Sequence, residues 1–186
     1  MPTASAIRIA LLRAVNVAGH NRIGMSQLRD LLTELGFAGV RSLLQTGNLI
    51  FQSDAETDAD IEHLLETQAR KRLNLRADFV VRTAPEIRTV LAHNPFRDEA
   101  ERDPGHLVVM FLKSAAKAKD MEGLRLASTG PEIIRAKGRE IYLVYPNGIG
   151  RSRLTNALIE RKLGTRGTAR NWNTVLKLAE AAGASG

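Results

Sequence analysis

The residues best equipped for chemistry in this 186-residue chain are arginines and asparagines set in short, glycine-bearing loops. The densest cluster is Gly148, Gly150, Arg151, Ser152 and Arg153, just after the turn signal Pro146-Asn147-Gly148. Glycine permits positive φ and close backbone approach to a ligand. A helix start offers unbonded N–H groups, and arginine grips phosphate with a rigid fork of donors. Ser152 is the expected N-cap of a helix over 153–163. The cluster therefore predicts an anion-binding corner, against the plainer reading of a strand–turn–helix junction with two solvated arginines. Arg13 with Asn16, Asn48, and Arg170 with Asn171 carry the same theme elsewhere. Asparagine serves local hydrogen bonds in many turns, yet arginine with asparagine is also the pairing that holds phosphate or base edges. All ten residues are candidate ligand contacts.

Other chemistries find little support. His20, His63, His93 and His106 stand in no metal-ligand spacing, so no metal is expected. Gly148-x-Gly150 lacks both the third glycine of a dinucleotide fingerprint and the Lys-Ser/Thr ending of a P-loop. Ser152 and Thr155 have no base beside them in sequence, which leaves catalytic residues unassigned and no cofactor implied. There is no cysteine, hence no disulfide or thiol chemistry. No secretory signal and no membrane-length apolar run are seen, so a reducing cytoplasm is the expected location. The net charge of +7 favours an anionic partner. It is concentrated: from Arg135 to Lys177 only Glu140 and Glu160 oppose the basic residues, whereas 54–66 is acidic.

The elements that would position these residues follow from periodicity and turn signals. A strand is predicted at 7–12, then a polar loop at 14–24, a helix capped by Ser26, and strands at 40–44 and 49–51 around Thr46-Gly47-Asn48. Thr57 opens an amphipathic helix, and 77–82 is a further strand. That order, β-α-β-β-α-β, is ferredoxin-like. Pro85 starts a helix stopped at Asn94-Pro95-Phe96, and the charged, turn-rich stretch 97–105 marks an internal boundary. The second half repeats the plan: strand 106–112, helix 115–127, a hairpin of 131–136 with 140–145, helix 153–163, a short segment at 165–169, and helix 171–181. Laying 82–91 on 167–176 matches threonine, alanine, threonine, valine and leucine. The expectation is an α+β fold of two related ferredoxin-like halves, 1–96 and 97–186, arisen by internal duplication. Trp172, the only tryptophan, is expected in the core.

Several segments together resemble a bacterial family catalogued as domain of unknown function sixteen ninety-seven. They are Ala10-Leu11-Leu12-Arg13 through Asn16, 25–36, Thr46-Gly47-Asn48 with Phe51, Asn94-Pro95-Phe96, 148–156, and 168–178 with its Arg170-Asn171-Trp172-Asn173-Thr174-Val175 core. Ala14 and Ala18 stand where that family tends to glycine, Arg153 where lysine is usual, and Ala169 where threonine is usual. The resemblance implies two related α+β halves in a cytoplasmic protein and carries no activity with it.

Three functions remain open at this level. One is a binding module for a phosphate-containing metabolite, or weakly and nonspecifically for nucleic acid. Another is an enzyme acting on a phosphorylated or carboxylated substrate in a cleft between the halves. The third is an interaction protein whose motifs only pin the fold.

Overall fold

The computed structural model describes residues 5–14 (side chains through residue 13), 23–54 and 57–183. Asn16, His20 and most of the loop 14–24 lie outside the described residues.

The first half runs β1 (Ala6–Ala14), α1 (Met25–Glu34), β2 (Ala38–Leu43), β3 (Asn48–Ser53), α2 (Asp58–Leu73) and β4 (Ala77–Thr83). Local chemistry explains the boundaries of α2. Thr57 caps it by accepting from the Asp60 N–H at 3.1 Å. Asp58 and Asp60 stand in its first turn and Arg70, Lys71 and Arg72 in its last, complementing the helix dipole. The strands form one antiparallel sheet in the order β2-β3-β1-β4. Leu28 and Leu32 of α1, with Ile61 and Leu65 of α2, pack on Ala10, Leu49, Phe51, Phe79 and Val81 of one sheet face. The residues between them, such as Ile9, Leu11, Ile50 and Val80, are just as deeply buried. That is why these strands read as continuous apolar runs rather than alternating ones.

The β4 edge of this sheet is closed by side chains. Among the described residues β4 pairs only with β1, and two of its N–H groups, on Phe79 and Val81, donate instead to Glu66 and Glu62 of α2 at 3.0 and 2.8 Å.

After α3 (Ala84–Ala92) comes a short helix, α4 (Arg97–Arg102), where the sequence reads as a turn-rich boundary. Asn94 sets it up, its side chain accepting from the Phe96 N–H and donating to the Phe96 carbonyl. The second half then runs β5 (Leu107–Leu112), α5 (Ala118–Ala127), β6 (Ile133–Lys137), β7 (Glu140–Val144), α6 (Asn156–Leu163), β8 (Gly167–Asn171) and α7 (Trp172–Gly183). Its sheet order, β6-β7-β5-β8, repeats the first. Met121 and Leu124 of α5 and Ile159 and Leu163 of α6 cover Val108, Met110, Ile134, Ile141 and Leu143.

The repeat of β-α-β-β-α-β expected from the sequence is present, and the ladders show which residues correspond. Ile9 pairs with Ile50 on one side and Arg82 on the other; Val109 pairs with Tyr142 and Arg170. Arg82 thus corresponds to Arg170. The sequence echo of 82–91 on 167–176 sets Arg82 against Gly167, three residues out of register, so its letter matches carry no structural equivalence. What the halves do share is an arginine followed by a helix cap. Thr83 and Glu86 cap α3 reciprocally, and the Asn171 side chain accepts from the Thr174 N–H at 2.9 Å at the start of α7.

By density of contacts the chain divides into 1–88 with 177–186, and Thr89–Leu176. Within the first unit, Arg41 donates to the Ala181 carbonyl of α7. Within the second, the Tyr142 hydroxyl donates to the Val90 carbonyl of α3 at 2.8 Å. Among the described residues no helix is long and apolar enough to cross a membrane.

Candidate functional site

In the second unit, the chain leaving β7 folds back in a tight polar turn. Tyr145 anchors it: its N–H donates to the His106 carbonyl and its hydroxyl to the Leu154 carbonyl, at 2.9 and 3.0 Å. Gly148 takes a φ of 80°, which a side chain would resist, and its N–H returns to the Tyr145 carbonyl. Gly150 has no such requirement, for a Cβ there would meet nothing. Residues Ile149–Arg151 make a single 3-10 turn, in which the N–H groups of Arg151 and Ser152 bond to Gly148 and Ile149.

Ser152 is not the cap of α6. Thr155 is, with its hydroxyl accepting from the Leu158 N–H at 3.2 Å. The helix therefore starts at Asn156, three residues later than the sequence suggests, because the N–H that Ser152 accepts is that of Leu154, two residues on, in a local turn. Its own hydroxyl hydrogen goes to the Glu132 carboxylate. The N–H groups of Arg151, Ser152 and Leu154 are thus occupied inside the turn, and it is the side chains that face outward.

These side chains form one wall of a groove of about 230 Å³, with Asn147, Arg151, Ser152 and Arg153 on one side and Gly130 and Glu132 on the other. Arg151 and Arg153 are exposed. Glu132 lies over Gly130 so closely that a Cβ at that position would fall 2.2 Å from a carboxylate oxygen. Burial chiefly, and the charge of Glu132 secondarily, raise the Tyr145 phenol above its ordinary pKa.

The remaining candidates are placed differently. Arg170 is half-buried beside its own strand, donating to the Thr168 hydroxyl and the Ala169 carbonyl at 2.7 and 2.9 Å, and desolvation pushes its pKa down to about 10. Its counterpart Arg82 is 0% exposed and donates to the Val81 carbonyl in the same way. Asn171 is a helix cap. In the first unit, Arg13 is paired with Asp78, its cross-strand neighbour, at 3.1 Å. Asn48 is 0% exposed, and its amide donates to the Leu43 carbonyl and the Thr46 hydroxyl, pinning the β2–β3 turn. Of the ten candidates, then, Arg151, Ser152 and Arg153 line the groove, and Gly148 shapes the turn that presents them.

Sequence reasoning missed Glu132 and Gly130. The sequence places 132 inside the hairpin strand 131–136 and leaves 128–130 unassigned, and nothing in the order of residues ties an acid at 132 to a serine twenty positions on. It also missed that His106 is oriented, its Nδ1 lying 2.7 Å from Asp103. Among the described residues no cluster could hold a metal ion.

A family model described as "Protein of unknown function (DUF1697)" matches residues 6–142. The chain belongs to that family. The DUF1697 match takes in the first half from the start of β1 and the second through Glu132 and most of β7, while Asn147, Arg151, Ser152 and Arg153 lie beyond its end. Among solved structures, the chain is similar to one titled as a conserved bacterial protein, SP0830, from Streptococcus pneumoniae. The likeness has a TM-score of 0.74 at 20% identity and covers 96% of this chain and 99% of that one, which speaks for the fold. No curated protein matches.

Proposed function

We propose that this DUF1697 protein binds a small, phosphate-bearing metabolite in the groove between the Gly148–Arg153 turn and the Gly130–Glu132 loop. The observation that carries this reading is the pair of exposed arginines, Arg151 and Arg153, on one wall of a concave site with Asn147 and Ser152 beside them. Guanidinium forks and an amide suit phosphate oxygens. Glu132 sharpens the requirement. As a carboxylate it repels a fully ionised group beside it, and as an acceptor it favours a ligand that offers a hydroxyl or amine next to its phosphate.

A nucleic-acid ligand is disfavoured by the small size of the groove and by an aromatic content of 4%, which leaves little for base stacking. The test is affinity for inorganic phosphate, for a nucleoside monophosphate and for a short DNA duplex across a salt series, in wild type and in Arg151→Ala and Arg153→Ala. The expected result is binding of the small ligands with a shallow salt dependence, weakened in both variants. Duplex binding with a log–log slope near −0.9 per phosphate contact would replace the metabolite by a polyanion. No binding of any of the three would refute the reading.

A further inference from the structure

A second groove, of about 210 Å³, adjoins the first and shares Glu132 with it. Its walls come from the end of α5 and the start of β6 and carry Arg125, Ser128 and Arg135. Each arginine is only lightly engaged. A terminal nitrogen of Arg135 donates to its neighbour's carbonyl at 3.0 Å, and one of Arg125 lies 3.7 Å from Glu122. A guanidinium has five N–H donors, so each retains most of its fork. Ser128 adds a second and different observation: its hydroxyl oxygen is buried and, among the described residues, has no hydrogen-bond partner. Such a group is costly to leave unmatched, and a turn of the Ser128 side chain toward the groove it lines would let an entering acceptor match it.

We propose that this groove is a second anion subsite, and that the ligand carries two anionic groups, one in each groove, joined by a hydroxyl-bearing segment that passes Glu132. This deepens the reading above and rests on it. The charges require the order. Arg151 and Arg153 lie on one side of the shared carboxylate, Arg125 and Arg135 on the other, and the carboxylate itself excludes an anion at the junction. What fits is a small metabolite phosphorylated at both ends, of the sugar-bisphosphate class. Glu132 holds its place there through Ser152 and by lying over Gly130, so it is set to accept from the linker's hydroxyls.

The test follows backbone amides by NMR in the full chain, first with inorganic phosphate as the probe. Two sets of amides are expected to move, 147–153 for the first groove and 125–128 with 133–135 for the second, the segment 129–132, which holds the shared Glu132, reporting on both. Arg125→Ala with Arg135→Ala should silence only the second set, and Arg151→Ala with Arg153→Ala only the first. Ser128→Ala, a small change that keeps the backbone, should weaken the second subsite alone. Glu132→Gln should tighten phosphate binding in both grooves by about five-fold, since it removes one nearby like charge. A series of sugar 1,5- and 1,6-bisphosphates should then bind about ten-fold or more tighter than the matching monophosphates, through the linked second contact. That advantage should vanish in the Arg125/Arg135 double variant. Movement of the 147–153 set alone would overturn the second subsite while leaving the first standing, and movement of neither would sink both. Two independent phosphate sites with no bisphosphate advantage would overturn the bridging ligand.

Discussion

Tyr145→Phe removes one oxygen from the interior and tests how the groove is anchored. The Tyr145 hydroxyl is buried and reaches the Leu154 carbonyl, two residues past Ser152, at 3.0 Å. The variant loses that bond and strands a carbonyl, for an expected cost of about 1–2 kcal/mol at pH 7. In a chain of this length each kcal/mol corresponds to roughly 2–4 °C in Tm. The pH dependence is the sharper part. Burial, then the charge of Glu132, holds the phenol protonated above the range where an unfolded tyrosine ionises. Below about pH 10 both states keep the proton and the wild-type advantage is complete. Above it the unfolded chain releases a proton that the folded chain retains, so the wild type loses about 1.4 kcal/mol per pH unit from this group. Tyr145→Phe lacks that loss. The gap between the two proteins should therefore close from about pH 10 and disappear near pH 11. Urea denaturation at pH 7, 9, 10 and 11 measures it, with other titrating groups common to both chains. A difference under about 0.5 kcal/mol at pH 7, the scale of ordinary surface changes, or a gap that stays constant to pH 11, would refute the reasoning.

Trp172, 5% exposed at the start of α7, should cost about 3–5 kcal/mol when replaced by alanine, read as a fall in the urea midpoint. Asn171→Ala should cost about 1 kcal/mol through the lost cap on Thr174, and should leave phosphate binding at Arg151 and Arg153 unchanged in calorimetry.

The architecture was legible because buried strands and capped helices write themselves as local patterns. Leu107–Leu112 is apolar throughout and is a strand buried on both faces. Thr57 with Asp58 and Asp60 announces α2 correctly. Capping could not be resolved where two hydroxyls compete. Ser152 and Thr155 are equally good caps by type, and the choice is made by Glu132, which takes the serine's hydrogen from the loop that precedes β6. Loop arginines and asparagines were likewise ambiguous, since Asn48, Asn171 and Arg13 have local or cross-strand partners that only the ladder reveals. The α4 helix went unseen because its six charged and small residues bury no side chain.

The two glutamates of α2 that take up N–H groups of β4 have a consequence for how the protein behaves in concentrated solution. With those donors occupied, another chain cannot extend the first sheet along that strand without first displacing Glu62 and Glu66. The end strand β6 of the second sheet is exposed except at Ile134, and it carries the like charges of Arg135 and Lys137. Repulsion of that kind fades as salt shortens the Debye length, to about 3 Å at 1 M. Self-association of this protein should accordingly avoid the β4 edge, and where it proceeds through β6 it should be promoted by salt.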